Sequence, residues 1–175
     1  MTKRSEPAPP SESLLRALRD HASFVLGTHR GPDGDALGAS LALYHALRAQ
    51  GKVVQLVAPT VPGDHYLWLP GAAELTQQLT GAFEVAIALD CDSLGRLDHL
   101  AEAFLGAPLL VQIDHHSGPP CGHLQYVDRQ AAATCCLVWR LLQALEWPVS
   151  RDMATCLYTG VLTDTGNFRF ENTNR

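Results

Sequence analysis

Nowhere does the sequence approach the ~18 consecutive apolar residues that a membrane-spanning helix requires, so no membrane partner is expected. Basic charge is also scarce. Thirteen Lys and Arg stand against eighteen Asp and Glu, giving a formal net charge of -5, which argues against a basic track for duplex nucleic acid. A small anionic substrate stays open if metal cations supply the positive charge. The first ten residues, MTKRSEPAPP, hold no apolar core, so no secretory signal is expected and the protein is read as cytoplasmic. The five cysteines (Cys91, Cys121, Cys135, Cys136, Cys156) are odd in number and lack paired spacing, which excludes a disulfide framework and implies reduced thiols, three of them small core residues. Cys121 and His123 resemble half a zinc site, but no second pair stands at ligand spacing, so a metal-free loop is expected there. Repeats are absent, and low complexity is confined to the lead.

What is present is one domain's worth of core, 175 residues with 46% apolar composition. Residues 1–11 read as a disordered lead, after which Ser11 caps a helix through Asp20. Apolar runs in ASFVLGTH, KVVQLVAP, EVAIALD and PLLVQIDHH read as strands. Between them, helical spacing places Leu37, Leu41, Tyr44 and Leu47 on one face from Ala36 to Gln50, stopped at Gly51. TVPGDHYLWLPGAAEL reads as loop with a helical turn near Tyr66, and residues 96–105 have helical spacing. Ala131 to Trp147 is a helix stopped by Pro148, and Ser150 caps another carrying Met153, Leu157 and Val161 toward Asp164. Continuous apolar strands alternating with helices predict an α/β fold, a parallel β-sheet with helices on both faces. Ligands in such sheets sit at the carboxyl ends of the strands.

Three of these strands end in chemistry: VLGTHRGPDGDALG, VAIALDCDS and LLVQIDHHS. A fourth cluster, VLTDTGNF, places Asp164 at a helix end in an apolar setting where an unpaired carboxylate is costly to bury. His29, Asp33 and Asp35 share one Gly- and Pro-rich loop, whose alternate residues can serve two neighbouring ions, with Asp90 and Asp164 available to bridge them. Imidazole with several carboxylates suits Mn²⁺, and less obviously Mg²⁺ or Zn²⁺. GPDGD alone is an ordinary turn. Its pairing with His29, Asp90, His115 and Asp164 turns the reading toward a two-cation centre. Asp92 reads as the cap of the following helix, and Cys91 as a packed thiol beneath the loop.

THRGPDGDALGAS, DHH and LTDTGNF together resemble the DHH phosphoesterase superfamily, in order and spacing, over roughly residues 22–173. The resemblance implies that His29, Asp33, Asp35, Asp90, His115 and Asp164 hold two divalent cations, most suitably Mn²⁺. It also implies that His116 and Asp114 adjoin them in catalysis. Arg96 and Arg169 are candidate phosphate contacts. WLPGAAEL and YVDRQAAATC are similar to connecting segments of the branch containing nano-RNases, 3′-phosphoadenosine-5′-phosphate phosphatases and cyclic-dinucleotide phosphodiesterases. That branch implies a catalytic domain over 12–168, a short oligonucleotide or small nucleotide as substrate, and a homodimer. Its members carry a second, substrate-binding domain, and residues 169–175 stand where the linker to it would start. Two rival readings remain: a family II inorganic pyrophosphatase, similar in the first and third motifs, and a non-catalytic nucleotide-binding or dimerisation module.

Overall fold

The computed structural model describes residues 8–173; the first seven residues of the expected lead and the last two of the expected linker lie outside them. Helix α1 (Glu12–Asp20) starts where expected, because Ser11 Oγ accepts a hydrogen bond from Leu14 N at 3.3 Å. Such a cap contributes about 1 kcal/mol. After it come β1 (Ser23–Gly27), α2 (Gly34–Ala49), β2 (Val53–Val57), β3 (Leu75–Thr76), β4 (Val85–Leu89), α3 (Ala101–Leu105), β5 (Leu109–Asp114), β6 (Leu124–Val127), α4 (Thr134–Ala144) and α5 (Arg151–Asp164).

The six strands form one parallel sheet in the order β3-β2-β1-β4-β5-β6. From β1 the chain steps outward to β2 and β3, and from β4 it steps the other way to β5 and β6. The order therefore reverses between β1 and β4, and a crevice opens outside the carboxyl ends of strands at such a point.

Alternate strand residues feed two cores. Phe24, Leu26, Ile87, Leu89, Val111 and Ile113 pack on one face with residues of α1, α2, α4 and α5. Val25, Val57, Ala86, Ala88 and Leu110 pack on the other with Leu97, Leu100 and Phe104. Both faces are covered, as predicted, but unequally: the second carries only a 3₁₀ segment (Leu94–Leu100) and the short α3. Helix α2 is buried on nearly every side from Gly34 to Leu43, because α5 lies against its outer surface. Gly38 and Gly160 permit that approach. A Cβ at Gly160 would fall against Cys135 Sγ and within 2.9 Å of Asp35 Oδ1.

Several local expectations need correction. Residues 96–105 are not one helix: Asp98 sits at φ 51°, a left-handed kink inside the 3₁₀ segment before α3. Asp92 is not its cap. Ser93 holds that position and no side chain caps it, since the backbone bond Arg96 N to Ser93 O (3.1 Å) satisfies the donor. Helix α4 starts at Thr134 rather than Ala131, and the edge strands β3 and β6 extend the predicted sheet on both sides.

Candidate metal centre

The crevice between β1 and β4 collects four chain segments. His29 lies two residues beyond β1, Asp90 follows β4, Asp114, His115 and His116 close β5, and Asp33 and Asp35 open α2 while Asp164 ends α5.

Asp33 is the N-cap of α2, its Oδ1 accepting from Asp35 N (3.1 Å) and Ala36 N (3.0 Å). His29 Nδ1 lies 2.9 Å from Arg30 O. A carbonyl only accepts, so Nδ1 carries the hydrogen and Nε2 keeps its lone pair, 3.6 Å from Asp90 Oδ2. His115 repeats the device. Its Nδ1 donates to Ala131 O (3.2 Å), and its buried Nε2 has no hydrogen-bond partner. That nitrogen faces Asp164 Oδ2 at 3.6 Å, Asp90 Oδ1 at 3.7 Å and Asp35 Oδ2 at 3.8 Å. A buried lone pair aimed at three carboxylates is the donor set a divalent cation satisfies.

Three overlapping groups result, His29 with Asp33 and Asp90, Asp35 with His115 and Asp164, and Asp90 with His115 and His116, and within each the candidate ligand atoms lie within 4.8 Å of one another. Asp90 presents Oδ2 to the first and Oδ1 to the second. Of the two aspartates expected to bridge, Asp90 alone has this placement, because Asp164 ends α5 on the His115 side and joins that group only. Asp90 adopts φ 54°, a left-handed conformation held by its N–H on Ile113 O (3.0 Å). Such strain, of about 1–3 kcal/mol, gathers at functional sites.

The centre is crowded with negative charge. Burial pushes the Asp35 carboxyl well above the usual carboxylate range, and the Asp90 charge pushes it further. Burial raises Asp164 as well, with His115 opposing and Asp90 and Asp33 adding to the rise. Asp90 moves the other way: burial opposes its charge, but the His29 imidazole beside it and the hydrogen bond from Thr134 outweigh that. Burial likewise works against protonation of His29, and Asp90 and the Arg30 carbonyl reverse it. The hydrogen bond to Asp114 Oδ1 (2.8 Å) carries His116 up to about 9 against the opposing effect of burial. His116 also lies 3.5 Å from Asp90 Oδ1, nearer the centre than a residue merely adjoining it.

The two candidate phosphate contacts part company. Arg96 lies within the 3₁₀ segment after β4, its carbonyl accepts from Arg30 N (2.9 Å), and its charge lowers the proton affinity of His29 and His116. Arg169 lies exposed in the turn after α5, and no side-chain contact among the described residues links it to the centre.

The supporting roles of four residues carry no signal in the sequence. Thr134 donates Oγ1 to Asp90 Oδ1 (2.8 Å) and N to Asp35 Oδ2 (2.6 Å), while Cys135 N reaches Asp35 Oδ1 (2.9 Å). Asp35 thus caps α4 from another helix, at an N-terminus with no cap of its own. Asn172 Nδ2 reaches Ala132 O (3.0 Å) and Asp164 O (3.1 Å), tying the expected start of the linker to the centre. Gln112 Nε2 donates to Cys91 O (3.1 Å), and its Oε1 accepts from Cys121 N (3.1 Å). Cys91 is buried as read, and burial pushes its thiol up to about 12.

Comparison with known proteins agrees with this architecture. The chain is 40% identical over 168 residues to the bifunctional oligoribonuclease and PAP phosphatase NrnA of Thermus thermophilus, covering 91% of this chain and 48% of that protein. Its identity to the Bacillus subtilis protein of the same name is 27%, covering 91% of this chain and 51% of that one. The chain thus spans about half the length of the curated relatives it matches. Among solved structures, an exopolyphosphatase-related protein from Bacteroides fragilis superposes with a TM-score of 0.88 at 29% identity, over 100% of this chain and 55% of that one. Exonuclease RecJ bound to manganese shares the fold, at a TM-score of 0.56 and 16% identity over 92% of this chain and 45% of that one. The family model for the DHH family, N-terminal domain, matches residues 23–161. On that match the chain belongs to the DHH family, and what it contributes is the family's N-terminal domain.

Proposed function

We propose that this chain is the catalytic half of a two-cation phosphoesterase that hydrolyses very short oligoribonucleotides, 3′-phosphoadenosine-5′-phosphate or linear and cyclic dinucleotides. One observation carries the reading: Asp90 stands between two ligand groups with one oxygen toward each, beside the unpartnered Nε2 of His115. His29, Asp33 and Asp90 would hold one cation, and Asp35, Asp90, His115 and Asp164 the other. The nitrogen and oxygen donors suit Mn²⁺, with Mg²⁺ as the alternative. Divalent cations bound there lower the pKa of water and stabilise charge on a phosphoryl group.

The chain's own residues orient the reaction. His29 and His115 have fixed tautomers because each Nδ1–H is committed to a carbonyl. His116 is committed through Nδ1 to Asp114, which leaves Nε2 to hold the phosphate or pass a proton to the leaving oxygen. Arg96 supplies a guanidinium beside the crevice for the phosphate oxygens. The NrnA relatives, named as oligoribonucleases and PAP phosphatases, support this substrate class. The homodimer, the cytoplasmic location and a substrate-binding domain after residue 175 belong to the same reading.

Hydrolysis of that substrate panel with Mn²⁺ tests the proposal, with Asp164→Ala as control. Turnover that the variant loses is expected; no metal-dependent turnover of any member would defeat it. Preferential release of phosphate from pyrophosphate would favour the pyrophosphatase reading instead. Calorimetry showing no tight Mn²⁺ binding would favour a non-catalytic module.

A further inference from the structure

Beside the centre lies a cleft of about 410 Å³, lined by His116, Gly118, Pro120, Gln125, Val127 and Arg129 among others. Its volume falls in the ~300–1,000 Å³ range of small-molecule sites. Gln112 forms a rigid part of its wall, buried with both ends of its amide engaged.

The turn from Asp128 to Ala131, whose first three residues also line the cleft, is pinned to the carboxyl end of β5. Asp128 N donates to Asp114 O (3.2 Å), Ala131 N to Asp128 O (3.0 Å), and the Ala131 carbonyl holds His115 Nδ1 (3.2 Å). The same turn therefore positions His115 and presents Arg129. The Asp128 carboxylate is consumed, Oδ2 by Arg140 Nη1 (2.8 Å) and Oδ1 by Gln130 N (2.9 Å). Arg129 is exposed, and no carboxylate among the described residues pairs with it. Burial pushes the Cys121 thiol up, and the charges of Asp114 and Asp92 push it further, so negative charge lies near the loop that follows His116.

A lining that combines His116, the apolar surfaces of Pro120 and Val127 and a guanidinium without a carboxylate partner matches a nucleoside bearing a phosphate. We infer that this cleft holds the nucleoside adjoining the scissile phosphate, with Arg129 pairing a second phosphate of the substrate. The inference rests on the phosphoesterase reading and deepens it. Arg129 would favour substrates with two phosphates over simple monoesters.

The test is binding, with metal removed. Adenosine 5′-monophosphate is titrated into the chain in excess chelator and followed by backbone amide shifts, with adenosine as the comparison. The uncovered carboxylates repel its phosphate from the metal centre, which leaves Arg129, together with His116, to receive it at this edge. The nucleotide is expected to shift the amides of Gly118, Gln125, Val127 and Arg129 and to bind more tightly than adenosine. Arg129→Ala should remove roughly tenfold to a hundredfold of that affinity, as a charged hydrogen-bond pair predicts, with an unchanged Tm, and Arg129→Lys should restore part of it. No shifts at the cleft, equal binding of nucleotide and adenosine, or an Arg129→Ala affinity equal to the native one would overturn the inference. Failure of the chain to hydrolyse anything with Mn²⁺ bears on the enzyme reading alone, because this titration contains no metal and no turnover.

Discussion

Replacing Thr134 by Val removes one hydroxyl and keeps the branched shape of the side chain. Thr134 is fully buried, and its Oγ1 bonds Asp90 Oδ1 at 2.8 Å. A hydrogen bond to a charged acceptor contributes about 1.5–3 kcal/mol. Altering a residue that orients a metal-binding carboxylate lowers metal affinity roughly 10–100-fold. The backbone N–H of Thr134 still serves Asp35, so the cap of α4 survives. The loss should also be lopsided: Oδ1 faces the His115 group, whereas Oδ2 faces His29. Calorimetric titration with Mn²⁺ should therefore show one site weakened by about one to two orders of magnitude and the other nearly native. Native affinity at both sites would refute the claim that Thr134 holds Asp90 in register.

Gly160→Ala should destabilise the fold by about 1–3 kcal/mol through overpacking, and lower Mn²⁺ affinity, because the added methyl falls on Cys135 Sγ and Asp35 Oδ1; thermal unfolding and metal titration measure both. Asp164→Asn should raise Tm in excess chelator, since the native carboxylate is buried and crowded by Asp90 and Asp33, and should shrink the further rise that Mn²⁺ gives the native chain, because the group of His29, Asp33 and Asp90 is left intact. Glu84 accepts from Ala22 N (2.6 Å) and from Ser23 N (2.9 Å) and Oγ (3.3 Å), tying the entry of β1 to that of β4. Those bonds, Ala22's first, hold its pKa below the ordinary 4.5. A carboxylate depressed in the folded state stabilises fully above its unfolded pKa and loses that contribution as pH falls through the folded value. Glu84→Gln should therefore melt below the native chain at neutral pH, with the gap closing as pH falls below 4.5.

Strong local signals made much of the architecture readable. Ser11 and Ser150 are capping side chains with a helix directly behind them, and continuous apolar runs such as VAIAL belong to buried parallel strands. Strand ends converge on one edge of a parallel sheet, which is why His29, Asp90 and His115 could be grouped before any coordinates. The edge strands escaped notice because Leu75–Thr76 has two residues and Leu124–Val127 is partly exposed, so neither makes a long apolar run. Thr134 and Asn172 were invisible for another reason. Each acts through contacts with residues distant in sequence, and a lone Thr after three alanines, or an Asn in a polar tail, carries no periodic signature. Asp92 looked like a cap from its position alone, and the 3₁₀ turn that replaces an α-helical start there depends on packing.

The most direct test of the central claim is anomalous diffraction at the manganese edge from crystals of this chain grown with Mn²⁺. Two peaks about 3.5–4 Å apart are expected, flanking Asp90, one within bonding distance of His29 and Asp33 and the other of Asp35, His115 and Asp164. A single peak, or two that do not share Asp90, would contradict the account.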